Sequence, residues 1–257
     1  MINIHVIGIG SGNPDHITVQ AIKTLNSCDV LLVPEKGTEK AFLADIRHEI
    51  CARFITERQP RFEHFTVPHR DTSSGYESSV ADWHGAIACI YERLLTEKVG
   101  EGETVGLLVW GDPMLYDSTL RILEIVRGRG NVRFDVDVIP GITSLQSLCA
   151  SHRIPLNQIG QPVQITTGRR LAEGWPEGAT DVAVVLDGAQ TYQRLDDQGA
   201  MIYWGAYLGT PMEITVSGRL SEVVSEINNI REKARLEHGW IMDTYVLRHE
   251  IKSGSKD

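Results

Sequence analysis

Apolar residues along the first half of the chain follow two spacings in turn. A β-branched run at residues 4–9 predicts a strand, and apolar residues four apart over 15–27 predict a helix after it. The alternation continues, with strands predicted at 29–33 and 104–109, a strand and a mobile loop within 59–75, and helices at 38–54, 80–94 and 118–127. Pro34 is expected to stop the second strand, and Thr38 to cap the next helix. Strands that alternate with helices favour a largely parallel sheet covered on both faces.

The second half of the chain contains more strands. Residues 132–138 alternate between apolar and polar, and apolar runs predict further strands at 181–186, 200–204, 213–216 and 240–246, with one long helix over 220–230. A glycine-rich turn at 127–131 marks a nearby boundary. We therefore expect two α/β domains, residues 1–125 with a largely parallel sheet and residues 126–250 with a mixed sheet. A cleft between them and a loose tail at 251–257 complete the expected architecture.

The chain carries more acidic than basic residues. Its 257 residues include 34 Asp and Glu against 25 Lys and Arg, a formal net charge of -9. Such a surface repels nucleic acid and anionic lipid unless the basic residues cluster. No apolar run approaches the ~20 residues needed to cross a bilayer, and the N-terminus has no signal-peptide pattern. We expect a cytoplasmic protein with no nucleic-acid and no membrane partner.

The cysteines and histidines give no pattern of a metal site. Cys28, Cys51, Cys89 and Cys149 are far apart and form no CxxC pair, which favours buried thiols in a reducing compartment. A pair such as His64 and His69 lacks the helical spacing and the further ligands that a metal needs. We expect no metal.

A glycine loop ends the first predicted strand. Gly8, Gly10 and Gly12 alternate with other residues before a helix, as in a dinucleotide-binding turn, and Glu35 lies where a ribose-binding acid would follow. That fingerprint, however, places its last glycine one residue further on, where this chain has Asn13. Two interpretations stay open: an NAD-dependent oxidoreductase, and a structural turn that lines a cleft.

Three further segments change this picture. Gly111-Asp-Pro113 follows a buried strand, Val138-Ile-Pro-Gly-Ile-Thr-Ser144 opens a helix, and Thr210-Pro211 precedes a late strand. In this order and at these separations, the chain resembles the tetrapyrrole methylases, which use S-adenosylmethionine in corrin and sirohaem synthesis. The first loop of that family is typically Gly-x-Gly-Pro-Gly-Asp-Pro, so Ser11 and Asn13 are departures from it.

Longer stretches narrow the resemblance within that family. These stretches are residues 15–22, 110–119, 152–156, 166–170, 203–211 and 239–245. They are similar to the corresponding stretches of family members that methylate a ring carbon of precorrin-5 and release acetate. The resemblance therefore implies an anionic tetrapyrrole substrate and a homodimer. It covers nearly the whole chain.

The resemblance implies S-adenosylmethionine as the cofactor, S-adenosylhomocysteine as its product, and a set of loop residues that bind it. These are Trp110, Gly111, Asp112, Leu115, Thr143, Ser144, Leu186, Asp187, Gly205 and Ala206. Asp112 is expected to be the main polar contact, because a carboxylate accepts hydrogen bonds from cofactor donors. The family usually has a methionine near Asp187, so a polar residue replaces an apolar one there.

Substrate binding and water activation define the remaining candidates. Arginines grip carboxylates bidentately, so the substrate-binding set comprises Arg70, Arg153, Arg169 and Arg170 with the loop residues Gly10, Ser11 and Gly12. Release of acetate requires water to attack a ketone, which calls for a general base or a group that positions the water. Asp112, Tyr116 and His16 are the catalytic candidates, and Asp15 and Asp187 are further candidates for handling the water.

Other functions stay open at this stage. The first alternative is a methylase of the same fold that acts on another substrate, such as ribosomal RNA or a modified histidine. The excess of acidic residues argues against RNA. The NAD-dependent oxidoreductase is a second alternative. A protein that carries corrin intermediates without catalysis is the third.

Overall fold

The computed structural model describes residues 1–35, 41–71, 75–195 and 199–249, with the backbone alone for 41–44. The predicted cap Thr38, the loop residue Thr72 and the expected tail at 251–257 lie outside the described residues. The chain divides into two compact units, Met1–Thr143 and Ser144–Asp257.

The first unit is built on a sheet of five parallel strands. They are β1 (Ile2–Gly8), β2 (Val30–Glu35), β3 (Arg61–Thr66), β4 (Thr104–Val109) and β5 (Phe134–Ile139), in the spatial order β3-β2-β4-β1-β5. Because all five run in the same direction, their carboxyl ends meet at one edge of the sheet. In open α/β sheets this edge is where ligands bind.

Four helices cover both faces of this sheet. They are α1 (Val19–Ser27), α2 (Ala41–Phe54), α3 (Tyr76–Glu97) and α4 (Thr119–Arg129). One apolar cluster joins α3 and α4 to the strands, and a second joins α1 and α2 to the opposite face. The prediction of a parallel sheet with helices on both faces is therefore confirmed.

Two local predictions in the first unit were wrong. The helix predicted to begin at residue 15 begins at Val19, after a separate 3-10 turn at Pro14–His16, because the Thr18 hydroxyl caps it by accepting from Ala21 N at 3.1 Å. Pro34 does not stop its strand. It lies inside β2 beyond the last β2–β4 pair, Leu32 with Leu107, so its missing N–H removes no bond to β4.

The boundary between the units also differs from the expectation. The chain divides after Thr143, and not between residues 125 and 126. The reason is β5, which pairs along its length with β1 and so belongs to the first sheet. Local sequence marks the turn at 127–131 but contains no information about that long-range pairing.

The second unit contains a mixed five-stranded sheet, as predicted. Its elements are α5 (Ser144–His152), β6 (Val163–Thr167), α6 (Gly168–Leu171), β7 (Asp181–Val185), β8 (Met201–Ala206), β9 (Ile214–Arg219), α7 (Leu220–His238) and β10 (Asp243–Arg248). The spatial order is β6-β7-β10-β8-β9, and among the described pairs β6 and β7 alone are parallel. β6 was not predicted, because its five residues mix apolar and polar types and form no apolar run.

A buried ion pair lies in the second unit. Arg231 of α7 donates to Asp243 of β10 at 2.9 Å, and both side chains are 6% exposed. The indole Nε1 of Trp204 donates to the same carboxylate at 3.1 Å. Asp243 is therefore satisfied by two donors inside an otherwise apolar core.

No helix within the described ranges has the length and apolar character that crossing a membrane requires.

One surface ion pair of the first unit makes the stability of the fold depend on pH in the acidic range. Arg61 donates to both carboxylate oxygens of Glu103, at 2.8 and 3.0 Å, and Gly100 N donates at 2.6 Å. The bonds from Arg61 and from the Gly100 amide lower the pKa of Glu103 from 4.5 to about 2. A carboxyl whose pKa is lowered on folding stabilises the fold above its unfolded pKa, and this contribution disappears as the pH falls from about 4.5 toward 2.

Arg61→Gln is therefore expected to reduce the loss of stability between pH 6 and pH 3, with only a small cost at pH 6, because the Arg61 side chain is half exposed and its charge is screened by solvent. Urea unfolding at the two pH values measures this. Arg127→Gln, which removes the exposed pair with Glu124, is the control. An acid loss in Arg61→Gln equal to that of the wild type would contradict the expectation.

Candidate functional site

Three loops meet at the carboxyl edge of the first sheet. They follow β4, β1 and β5, which are neighbours in the sheet. Gly10 and Gly111 form an antiparallel bridge between the first two loops, with N–H to O distances of 3.2 and 2.8 Å. Both glycines have a positive φ, 84° and 71°, which other residues adopt only with strain. The glycine loop of β1 is thus joined to the Gly111-Asp-Pro113 loop.

Two further glycines let the backbones of all three loops touch. An added Cβ on Gly8 would lie 2.7 Å from the nitrogen of Gly141 and 2.9 Å from the oxygen of Gly111. An added Cβ on Gly141 would overlap that same oxygen and lie 2.8 Å from the carbonyl carbon of Gly8. We call Gly8, Gly111 and Gly141 the glycine junction. Its geometry has no room for any side chain at Gly8 or Gly141.

The carboxylate of Asp112 stabilises the glycine junction. Its Oδ1 accepts from Met114 N and its Oδ2 from Gly141 N, both at 2.7 Å, and the residue is 8% exposed. The carboxylate therefore closes its own loop and ties it to the loop after β5. The sequence predicted a contact with the cofactor; the structure gives Asp112 a bracing role between two loops.

Asp112→Asn is expected to lower stability by about 2 kcal/mol, because the amide group turns an N–H donor toward one of the two backbone donors. S-adenosylmethionine affinity is expected to fall with it, since the loops lose their spacing. Chemical unfolding and calorimetry measure the two effects. Asp137→Asn, an exposed carboxylate on β5, is the control. Full stability with abolished cofactor binding would contradict the bracing role and indicate direct contact.

Two ring nitrogens near these loops have no partner among the described residues. They are Nδ1 of His16 and Nε1 of Trp110, and both atoms are buried. His16 lies on the 3-10 turn, where its Cβ would be 3.1 Å from a Cβ on Gly10. Ser11 beside it is 1% exposed, and Gly12 has a φ of 147°. A buried polar atom without a partner is costly, so these nitrogens are candidates to meet a ligand.

The end of the β4 loop presents apolar and aromatic groups to solvent. Met114 is 72% exposed and Tyr116 is 47% exposed, while Leu115 between them is half-buried. Tyr116 has a positive φ of 52°, a strained conformation for a residue with a side chain. Partial burial raises the pKa of its hydroxyl, so it stays protonated at neutral pH. Thr143, at the end of the β5 loop, is buried.

The second unit holds a network centred on Asp187, which follows β7. Its Oδ2 accepts from the hydroxyl of Tyr245 and from Thr191 N, each at 2.6 Å, and its Oδ1 accepts from the Thr191 hydroxyl at 2.9 Å. A Cβ on Gly168 would overlap the Asp187 carboxylate, so this glycine also belongs to the network. Asp187 is 5% exposed, and its oxygens are occupied by protein donors. Leu186 before it has a positive φ of 55° and is 68% exposed.

The other predicted residues of the second unit fall at separate places. Gly205 and Ala206 were expected after a strand and in fact end β8, with Ala206 fully buried in the core. Ser144 is the first residue of α5, and Arg153 is exposed with a positive φ of 56° just beyond that helix.

The predicted arginines differ in what they contact. Arg170 is paired with Glu173 at 2.9 Å, whereas Arg169 lines a cavity. In the first unit, Arg70 follows β3 and lies 5.5 Å from the ring centre of Tyr76. The roles of all these arginines in binding remain predictions.

Several residues of the site were missed at the sequence level. Gly141 was part of a recognised segment but was not named, although a glycine at the end of a strand is a signal of close backbone approach. Tyr245 carries no local signal, because its contact with Asp187 depends on the antiparallel pairing of β10 with β7. Thr191 lies only four residues after Asp187 and was also missed. Within the described ranges, no three His, Cys, Asp or Glu side chains are placed to hold a metal ion.

Comparison with known proteins identifies the family of this chain. The profile of the Tetrapyrrole (Corrin/Porphyrin) Methylases matches residues 3–224, and the chain belongs to this family of methylases. It is 58% identical over 249 residues to the precorrin-6A synthase (deacetylating) of Sinorhizobium sp, covering 96% of this chain and 95% of that one. The resemblance drawn from the loop motifs is thereby confirmed.

Solved structures show the same fold. A protein from Corynebacterium diphtheriae described as cobalamin synthesis related (CobF) has a TM-score of 0.83 and 37% identity, over 96% of this chain and 98% of that chain. The uroporphyrin-III C-methyl transferase of Thermus thermophilus complexed with S-adenyl homocysteine has a TM-score of 0.58 and 17% identity, over 96% and 97%. The second likeness concerns the fold alone.

Proposed function

We propose that this chain is a C-methyltransferase of cobalamin synthesis that uses S-adenosylmethionine, methylates precorrin-5 and releases acetate to give precorrin-6A. The observation that carries the proposal is the 58% identity to a precorrin-6A synthase over nearly the full length of both chains. Membership of the methylase family removes the NAD-dependent oxidoreductase as an interpretation of the glycine loop.

The residues at the glycine junction fit S-adenosylmethionine. Gly111 is not crowded, since an added Cβ would make only ordinary van der Waals contacts, the nearest with Thr143 Cα at 3.8 Å. Nδ1 of His16 and Nε1 of Trp110, which lack a hydrogen-bond partner in the described part of the chain, can supply polar contacts, while Met114 exposes an apolar surface. Backbone N–H groups, ring nitrogens and apolar side chains match a ligand that combines an adenosine with an amino-acid head group. When bound, the cofactor supplies an electrophilic methyl group.

The protein's part in methyl transfer is positional. An electron-rich tetrapyrrole supplies the nucleophilic carbon, so the chain has to hold donor and acceptor in line and exclude water. The glycine junction and Asp112 do this by fixing the spacing of three loops. A carboxylate already occupied by two N–H groups is a poor general base, so Asp112 acts as a positioning residue in this proposal.

Acetate release needs a group that handles water. His16 and Tyr116 are the proposed candidates, and they differ in chemistry. Nδ1 of His16 meets no partner among the residues that the structure describes and can act as an acceptor, whereas Tyr116, with its raised pKa, can only donate or orient. His16→Asn is expected to slow acetate release more than methyl transfer. Equal loss of both would assign His16 to cofactor binding.

The setting and assembly of the protein are part of the proposal. We infer a homodimer in the cytoplasm, acting on an anionic tetrapyrrole and on no nucleic acid. Burial raises the pKa of the thiols of Cys28 to about 12 and of Cys51 to about 11, which keeps them protonated and unreactive, as suits a reducing compartment. Light scattering during gel filtration tests the dimer.

Calorimetry tests the cofactor assignment directly. Micromolar binding of S-adenosylmethionine and S-adenosylhomocysteine is expected, with none for NADH. Micromolar NADH binding without S-adenosylmethionine binding would overturn the proposal. Binding of a tetrapyrrole with no methyl transfer in the presence of the cofactor would favour the carrier.

A further inference from the structure

Tyr116 has a backbone conformation that needs support from the residues around it. Its φ of 52° lies in the left-handed region, where a residue with a side chain is strained. Such a conformation persists only where the surrounding structure fixes the chain on both sides of it. The hydrogen bonds before and after Tyr116 therefore determine where its side chain is held.

The segment before Tyr116 is closed by bonds of its own loop. Leu115 N donates to the backbone oxygen of Asp112 at 3.2 Å, and Asp112 Oδ1 accepts from Met114 N at 2.7 Å. Both bonds lie within residues 112–115. This half of the loop, which carries the predicted cofactor contacts Asp112 and Leu115, is therefore closed without a bond from α3.

The segment after Tyr116 is held from α3. A hydrogen bond of 2.9 Å joins Nε2 of His84 to the hydroxyl of Ser118, and the Tyr91 side chain is hydrogen-bonded to Thr119. His84 and Tyr91 are separated by about two helical turns, so they lie on one face of α3. Two successive residues at the start of α4 are thus tied to the same face of α3.

Asp117 connects this support to Tyr116. Its Oδ1 accepts from Thr119 N at 2.7 Å, and its backbone oxygen accepts from the Arg121 guanidinium at 3.0 Å. Asp117 is thereby fixed to the first turn of α4. Tyr116 then lies between two closed segments, one held by its own loop and the other by α4 and α3.

His84 is a buried histidine that neither methyl transfer nor the water step has used so far. It is 8% exposed. Burial and the positive charge of Arg121 lower its pKa, against the opposing charge of Asp117. The ring is therefore neutral at neutral pH. It serves as a fixed hydrogen-bonding group for Ser118 and not as an exposed charge.

We propose that His84 is a positioning residue for acetate release: through Ser118 it fixes the segment after Tyr116 and so directs the Tyr116 hydroxyl toward the reacting water. The inference rests on the proposed function, in which Tyr116 is a candidate for handling that water. Because the segment before Tyr116 is closed separately, loss of the His84 bond is expected to disturb Tyr116 and to leave the cofactor loop in place.

The test compares two amides that differ in reach. The amide of His84→Gln lies about where Nε2 does and can donate or accept there, whereas the amide of His84→Asn is one methylene shorter. In single turnovers with precorrin-5 and S-adenosylmethionine, His84→Asn is expected to slow acetate release about tenfold, part of the roughly 10²–10⁴ that a placed acid or base contributes. His84→Gln should recover most of that loss. Methyl transfer and S-adenosylmethionine affinity should stay within about twofold in both variants.

Tyr116→Phe and Ser118→Ala determine whether His84 acts through the tyrosine. Tyr116→Phe is expected to slow acetate release at least as much as His84→Asn does. The double variant should be no slower than Tyr116→Phe alone, because residues that act as a unit are not additive. Ser118→Ala should reproduce His84→Asn, and it replaces that variant if His84→Asn does not fold. His48→Asn, the same substitution at an exposed histidine of α2, is the matched control.

Hydrogen exchange of residues 113–119 gives a readout that needs no substrate. We expect faster exchange in His84→Asn than in the wild type, and recovery in His84→Gln. Losses of His84→Asn and Tyr116→Phe that multiply in the double variant would overturn the positioning role, as would methyl transfer that falls as far as acetate release. Unchanged acetate release in His84→Asn refutes this role alone, whereas a wild type that releases no acetate refutes the proposed function itself.

Discussion

Replacing Gly141 with alanine will separate the three loops and remove most of the activity. The added Cβ would overlap the oxygen of Gly111 and press on Gly8, both of which are backbone and cannot rotate away. We expect a loss of about 3 kcal/mol in the free energy of unfolding. Methyl transfer in the protein that stays folded should slow by about 100-fold, the size of effect that a displacement of about 1 Å produces at a reacting centre.

Gly128→Ala is the control for this substitution. Gly128 lies in α4 with nothing within 4 Å of an added Cβ, so alanine should stabilise the helix by up to about 1 kcal/mol. Thermal unfolding and initial rates measure both variants. A Gly141→Ala protein with wild-type stability and rate would show that the loops have room to adjust, contrary to the close approach in this structure.

Arg231→Met will destabilise the second unit by about 3–5 kcal/mol, because it leaves the Asp243 carboxylate buried without its cation. Burial opposes the charge on Arg231, but the hydrogen bond to Asp243 and the negative charges of Asp243 and Asp187 together outweigh it and raise the pKa of the guanidinium. The pair is therefore kept charged by mutual contact. Urea unfolding measures the change.

A double variant separates the cost of the lost cation from the cost of the lost packing. Arg231→Met with Asp243→Asn removes the unpaired charge and still gives Trp204 Nε1 an acceptor. We expect the double variant to be more stable than Arg231→Met alone. If the double variant is equally unstable, then the loss comes from packing of the arginine side chain, and the ion-pair explanation is wrong.

The sequence predicted the outline of the fold because periodicity and glycine placement are local. The parallel sheet, both of its covered faces and the mixed second sheet follow from apolar patterns. Long-range pairing was not predictable: β5 joins β1, and this moves the domain boundary to Thr143. The start of α1 at Val19 depends on the Thr18 cap. This cap is a local signal, but the apolar spacing extended the predicted helix past it.

The candidate site was predicted in part, for a similar reason. The loops with Gly10, Gly111 and Asp112 were identified from residue type and order. The contacts of Asp112 and Asp187 were not predicted, because one partner of each comes from a segment distant in sequence: Gly141 for the first, Tyr245 for the second. A carboxylate in a loop predicts a polar contact but does not say whether a ligand or the backbone supplies it.

Mass analysis of the products is the decisive test of methylation and acetate release by this protein. The purified protein is incubated with precorrin-5 and S-adenosylmethionine, and the tetrapyrrole, S-adenosylhomocysteine and acetate are measured together. We expect one methyl group gained by the ring, one acetate released and one S-adenosylhomocysteine formed per turnover. Methyl gain without acetate would leave a methylase but refute the deacetylating step, and an unchanged tetrapyrrole would contradict the proposed function.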